Sequence, residues 1–248
     1  MKRIGERDEG ACSMRSVCLQ HAEYEGPDKI EDWASERGHS LVTVVPLFES
    51  FPDPEEFDFL VVMGGPMGAY DDATYPWLKA EKRFITRTMA AGRKVFGVCL
   101  GSQLVAEALG GSAHPHTQRE VGWIEIRLTA TGKYGRALAV LPETFIAGEW
   151  HGDTYELPDD IRTGAVSDTC ENQAFETAGG RVVGVQFHLE WTPDTLVELV
   201  ERHGDWLAAA GEGSATVASA TELLGNLTAL AHGHELLYDL LDRMAAVA

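Results

Sequence analysis

Short apolar runs rich in β-branched residues recur along the chain, around Val17, from Ser40, from Phe57, from Lys94 and from Arg181. The segments between several of them space their apolar residues by three and four instead. PDKIEDWASERGH, YPWLKAEKRFITRTMAAG ending at Gly92, and SQLVAEALGG ending at a glycine pair are therefore predicted helices. The order β-α-β-β-α-β-α implies βαβ units and a largely parallel sheet. Between Val121 and Ala147 the pattern changes to short alternating runs, predicting a small antiparallel excursion that walls a cleft. Thr192-Pro193 suits an N-cap and first helical position, opening a helix through LVELVERHGDWLAAA. GEGSATVAS then reads as a flexible joint. Leucines 223, 224, 227, 230, 236, 237, 240 and 241 predict a final amphipathic helix pair, packed on the core or on a partner subunit. The expected class is α/β, a mostly parallel open sheet flanked by helices. Its expected parts are a tail at 1–14, one domain at 15–204 and a helical extension at 205–248.

Charge narrows the partners. Thirty-nine acidic against twenty basic side chains give a net charge of −19, which repels phosphate backbones and anionic lipid. No nucleic acid and no membrane partner is expected. The opening MKRIGERDEG is polar with no apolar stretch behind it, so neither a secretory signal nor an anchor is expected, and the location predicted is the cytoplasm. Cys12, Cys18, Cys99 and Cys170 lack CxxC spacing, which excludes the common zinc and disulfide frameworks. His114, His116, His232 and His234 have no further cysteine or carboxylate at ligand spacing, so no metal and no cofactor is expected.

One cysteine differs from the rest. In KVFGVCLGSQLVAEALGG an apolar strand runs through Gly97-Val98-Cys99-Leu100-Gly101 straight into a helix, the arrangement of a nucleophile elbow. So sharp a turn crowds the backbone, and small residues two positions either side relieve it. The helix N-terminus is expected to lower the Cys99 thiol pKa. Cys12, Cys18 and Cys170 have no such setting and are expected to be structural. A base is available at the end of the last core strand, where His188 and Glu190 in GVQFHLE share a face. Parallel strands end on one edge, so His188 can reach Cys99 and Glu190 can orient the imidazole. The glycine-rich turn VMGGPMG follows another strand end, and the N–H groups of Gly65 and Leu100 can form an oxyanion hole. It lacks the glycine spacing of a phosphate loop.

From about Arg15 to Thr192 these features, with MGGPMGAYDD, YPWLKAEKRFI, EVGW, WHGDTYELP, ENQAF and GVQFHLEW, resemble the class I glutamine amidotransferase domain, in the stand-alone form similar to the amidotransferase half of GMP synthase. The resemblance implies a flavodoxin-like fold, a Cys99–His188–Glu190 triad and oxyanion donors at Gly65 and Leu100. It also implies that Gln103 holds the substrate glutamine and that Asn172, Gln173, Ala174 and Phe175 receive its amino-acid end through backbone groups. His151 is kept as structural. The implied chemistry is attack on a γ-amide, a γ-glutamyl thioester, release of ammonia and hydrolysis. No ATP-pyrophosphatase or synthetase segment is found in the 248 residues, so an ammonia-accepting synthetase subunit would be a separate partner, and a homo-oligomer is also allowed. Two alternatives stay open: a self-sufficient γ-glutamyl hydrolase or peptidase, and a non-catalytic binding protein.

Overall fold

The computed structural model describes residues 13–211, 213 and 215–247, so Cys12 and all but the last two residues of the expected tail lie outside the described residues. The strands are β1 (Arg15–Leu19), β2 (Ser40–Val44), β3 (Phe59–Val62), β4 (Lys94–Val98), β5 (Ser112–Leu128), β6 (Thr144–Glu156), β7 (Thr163–Val166), β8 (Ala174–Thr177) and β9 (Val182–Val185). The helices are α1 (Lys29–Glu36), α2 (Trp77–Ala90), α3 (Leu100–Ala108), α4 (Ala130–Lys133), α5 (Pro193–Ala210), α6 (Ala220–Gly225) and α7 (Leu227–Ala246).

The strands form one sheet in the order β2-β1-β3-β4-β9-β8-β7-β5-β6. The first five are parallel, as their continuous apolar runs predict, with β3 and β9 buried along their whole length. Alternate residues feed opposite layers. Phe59 and Val61 of β3 pack with Trp33 of α1 and with Leu236, Leu237, Leu240 and Leu241 of α7. Leu60 and Val62 pack with Leu78, Phe84 and Ile85 of α2 and Leu104 of α3. The molecule is thus an α/β protein with helices on both faces of a single mixed sheet.

The antiparallel part is larger than its sequence pattern suggests. It begins at Ser112 rather than Val121, and β6, β7 and β8 extend it to Thr177. The start is hidden because SAHPHTQRE is polar and contains Pro115. The β5–β6 register shifts between Pro115 and Glu120, which breaks the alternation that marks a half-buried strand.

α5 opens as predicted, with the Thr192 side chain accepting from Thr195 N–H and proline in the first turn. It runs through the expected boundary at 204, with non-helical backbone at His203 (φ −116°, ψ 20°). Part of the expected joint is ordered by pairing: Val121 N–H donates to Thr216 O at 2.8 Å, and Ala218 N–H donates to Val121 O at 2.8 Å. α7 docks on the core, and Asp242 accepts hydrogen bonds from Trp33 and Arg37 of the first αβ unit. Leu224 and Leu227 depart from the leucine pattern and are exposed. Among the described residues no helix is long and apolar enough to cross a membrane.

Candidate functional site

β4 and β9 are parallel neighbours in register at Val98 and Val185, so the residues that follow each strand emerge side by side on one edge of the sheet. Cys99 N–H donates to Val185 O at 2.9 Å, which closes the strand just before the turn. Cys99 itself has φ 52° and ψ −113°, a sparsely populated conformation for a residue with a Cβ. The flanking glycines allow it. A Cβ on Gly97 would lie 2.6 Å from Gly101 O, and one on Gly101 would lie 1.9 Å from Val62 O. Any larger residue at either place would push the turn off β3 and β4.

His188 follows β9 and is fixed from several directions. Its backbone exchanges hydrogen bonds with Gly148 of β6, at 2.7 and 3.1 Å, and its ring stacks on Trp191 with centroids 4.2 Å apart. Nδ1 donates to Glu190 Oε1 at 2.6 Å, while Glu190 Oε2 accepts from Leu189 N–H at 3.0 Å. The imidazole is also hydrogen-bonded to the Cys99 thiol, and with Nδ1 on Glu190 this bond falls to Nε2. The tautomer is thereby set, with Nδ1 protonated and Nε2 facing sulfur.

The electrostatics correct one expectation. Burial raises the Cys99 thiol, and the hydrogen bond and charge of His188 do not reverse that. Burial alone would weaken His188, but the Glu190 carboxylate and the thiol hold it well above the ordinary histidine range.

Gly65 and Leu100 line the cavity at the thiol, and Leu100 heads α3, where first-turn N–H groups have no intrahelical acceptor. His21 holds the glycine turn, with Nδ1 at 2.9 Å from Gly64 O and Nε2 at 2.8 Å from Glu81. Gln103 also lines the cavity; its Nε2 donates to Gln186 Oε1 at 3.1 Å, and Gln186 Nε2 contacts Cys99 Sγ at 3.5 Å. Asn172, Gln173, Ala174 and Phe175 are placed elsewhere. Ala174 and Phe175 pair with β9, Gln173 N–H donates to Ala165 O, and the Asn172 side chain donates to Tyr155 O. None of the four lines the cavity; Gln173, Ala174 and Phe175 are buried and Asn172 is half-buried.

Several neighbours of the thiol carry no local sequence signal. Glu25, in the turn after β1, lines the cavity, and burial lifts its carboxyl to about 7 against the opposing charges of His188 and His21. Behind the site, Glu120 accepts from His151, Ser167, Thr169 and Gln173. Burial would raise Glu120, but these donors outweigh it and hold the carboxyl low. Its neighbour Glu149 is fully buried, with His151 Nε2 3.5 Å from Oε2, and burial lifts its carboxyl to about 8 against the opposing charge of His151. Glu120, His151 and Cys170 each offer one possible metal-ligand atom within 4.8 Å of the others. Glu120 is already saturated by donors, and burial raises the Cys170 thiol to about 11, so the donor set fits a hydrogen-bonded anchor better than a cation.

An αβ sheet whose strand ends carry a strained cysteine, a paired histidine and a glycine turn defines a protein with a buried cysteine–histidine–glutamate constellation. The sequence pattern of the family described as Glutamine amidotransferase class-I matches residues 30–202. This chain belongs to that family. It is 32% identical over 215 residues to the glutamine amidotransferase-like protein YfeJ of Salmonella typhimurium, a match covering 85% of this chain and 89% of YfeJ. GMP synthase of Bacillus subtilis is 32% identical over 157 residues, covering 59% of this chain and 29% of the synthase. The solved structure of a glutamine amidotransferase from Thermotoga maritima superposes with a TM-score of 0.81 at 31% identity, covering 94% of this chain and 98% of that one.

Proposed function

We propose that the chain is an enzyme that hydrolyses the γ-amide of glutamine through a thioester on Cys99, giving glutamate and ammonia. The observation that carries this reading is Cys99 at φ 52°, hydrogen-bonded to a histidine whose other nitrogen is held by Glu190 at 2.6 Å. His188 takes the thiol proton as sulfur attacks the amide carbon, and returns it to the departing nitrogen. The Gly65 and Leu100 N–H groups stabilise the oxyanion. Water then attacks the thioester with His188 as base. Gln103 orients the bound amide, and Glu190 holds the imidazole without touching substrate. The setting proposed is the cytoplasm, and the partner proposed is a synthetase subunit that accepts the ammonia. Family membership and the similarity to the GMP synthase of Bacillus subtilis support this reading.

The test pairs turnover with labelling. Glutamate and ammonia are expected in equal amounts from glutamine, and a diazoketone analogue of glutamine is expected to alkylate Cys99. Cys99→Ala should abolish both while leaving thermal unfolding near that of the parent. Inactivation that maps to Cys12, Cys18 or Cys170 instead would overturn the assignment.

A further inference from the structure

Glu25 stands in the turn between β1 and α1 and opens into the cavity at Cys99. The turn is held at several points. Gln20 Nε2 donates to Ala22 O at 2.9 Å and to Glu23 O at 3.1 Å, and Glu25 N–H donates to Ala22 O at 3.2 Å. At the start of α1, Lys29 N–H donates to Glu190 O at 3.2 Å, which ties the turn to the segment that carries His188. A Cβ on Gly64 would meet Glu25 Oε2 at 2.6 Å, His188 Cε1 at 3.5 Å and Cys99 Cβ at 3.6 Å. Glycine at 64 therefore leaves room for these three side chains to converge. The carboxylate lies within about 6 Å of the imidazole edge, close enough for each charge to shift the other.

The other sides of the His188 ring are in use. Nδ1 donates to Glu190, Nε2 faces the thiol and one face stacks on Trp191, which leaves Cε1 toward Glu25. The carboxylates nearby are satisfied differently. Glu190 accepts two hydrogen bonds and Glu81 accepts from His21, whereas among the described residues no N–H or O–H donates to the Glu25 carboxylate. Its surroundings act on it through charge: His188 and His21 favour its ionised form and Glu190 opposes it. The titratable groups that face it are His188 and Glu190 after β9, Cys99 after β4, and His21 and Tyr24 of its own turn, with Glu81 of α2 behind His21.

Resting on the thioester reading above, we propose that Glu25 is a positioning residue for that reaction, a second carboxylate that acts through His188 on the edge Glu190 does not reach. It does not touch substrate. As sulfur bonds to the amide carbon, the thiol proton moves to His188 and the negative charge passes to the carbonyl oxygen, under the Gly65 and Leu100 N–H groups. The imidazole is left positive, and Glu190 and Glu25 hold that charge from two sides until the departing nitrogen takes the proton. Burial lifts the Glu25 carboxyl to about 7, so the assistance depends on pH. Ionised Glu25 supplies it above that value; below it the carboxyl takes up a proton and supplies none.

The test follows single-turnover acylation by glutamine against pH in the purified full chain, in Glu25→Gln and in Glu25→Asp, with thermal unfolding as the control for folding. His188 is also titrated by NMR in Cys99→Ala with and without Glu25→Gln. Above neutrality Glu25→Gln is expected to acylate about tenfold more slowly at saturating glutamine, with the half-saturating concentration little changed, and to lower the His188 pKa by about one unit. The rate ratio of parent to variant is expected to fall toward one as pH drops through about 7, where the parent loses the same charge. Glu25→Asp keeps a charge at a greater distance and should show a smaller ratio with the same pH course. A parent that acylates with a ratio of one throughout overturns the role of Glu25 and leaves the thioester reading standing. A loss equal at every pH with an unmoved His188 titration also overturns it, making Glu25 only a counter-ion of His21. So does a change confined to the half-saturating concentration, which would place the carboxylate on substrate. If the parent forms no acyl-enzyme and Cys99 is not alkylated, the thioester reading itself fails and this role with it.

Discussion

Glu190→Gln tests the proposed machinery most sharply, because the surroundings of this carboxylate leave a glutamine no satisfactory orientation. In the native site one oxygen accepts from His188 Nδ1 at 2.6 Å and the other from Leu189 N–H at 3.0 Å. A glutamine that turns its oxygen toward Leu189 presents NH₂ to Nδ1 and forces the opposite tautomer, with Nε2–H pointing at the thiol and unable to take its proton. Turned the other way, it sets two donors against each other, costing about 1–3 kcal/mol for an unsatisfied buried group. Either orientation also removes the negative charge beside the imidazolium that forms as the thiol reacts. At about 4 Å and an effective dielectric of about 20, that charge contributes roughly 4 kcal/mol. Thioester formation should therefore slow by about 10³-fold, at 1.36 kcal/mol per decade. His188→Ala should slow it further, because it removes the base and not only its orientation. The measurement is single-turnover acylation by glutamine, read as the mass of the acyl-enzyme in quenched samples, with thermal unfolding as the control for folding. Acylation by Glu190→Gln within tenfold of the parent would refute the role given to Glu190.

Other consequences follow from the same contacts. Gly101→Ala places a Cβ 1.9 Å from Val62 O, a backbone atom that cannot rotate aside, so overpacking of about 1–3 kcal/mol or more is expected. For a chain this long, calorimetry should record a melting temperature lower by at least a few degrees, and an unchanged value would mean that the elbow is not braced on β3. Glu149, lifted to about 8 by burial, binds its proton in the folded state between its ordinary value of 4.5 and about 8. Its contribution to stability is complete below the lower value and is lost as pH rises through the upper one, at up to about 1.4 kcal/mol per pH unit. Glu149→Gln should flatten that decline and be the more stable protein at pH 9; equal slopes in urea titrations of the two proteins would refute a protonated Glu149.

What was legible in the sequence follows from how far each feature depends on distant segments. The elbow at Cys99 is local: one strand, one turn and one helix, with Gly97 and Gly101 visible as the glycines such a turn requires. His188 and Glu190 stand at the end of an apolar run, and the parallel arrangement was enough to bring that end beside Cys99. The thiol's acidity was misjudged because a helix N-terminus can be read from a sequence, whereas burial by β6, β9 and the glycine turn cannot. The β7–β8 pairing beside Asn172 to Phe175 lies in strands of four residues, too short to show a period. His21 and Glu81 meet across 60 positions, and Gln103 and Gln186 across 83, with no motif linking either pair. Trp206 stands in a helix segment with no motif of its own, and the docking of α5 sets it against Arg119 and Trp150. The residues proposed to perform the chemistry stand in short continuous stretches, because a strand end and a turn suffice to aim them. The wall that α5 and the β5–β6 hairpin add to the cavity, with Trp206 against Arg119 and Trp150, arises from packing between segments far apart in the sequence, so no local pattern announces it.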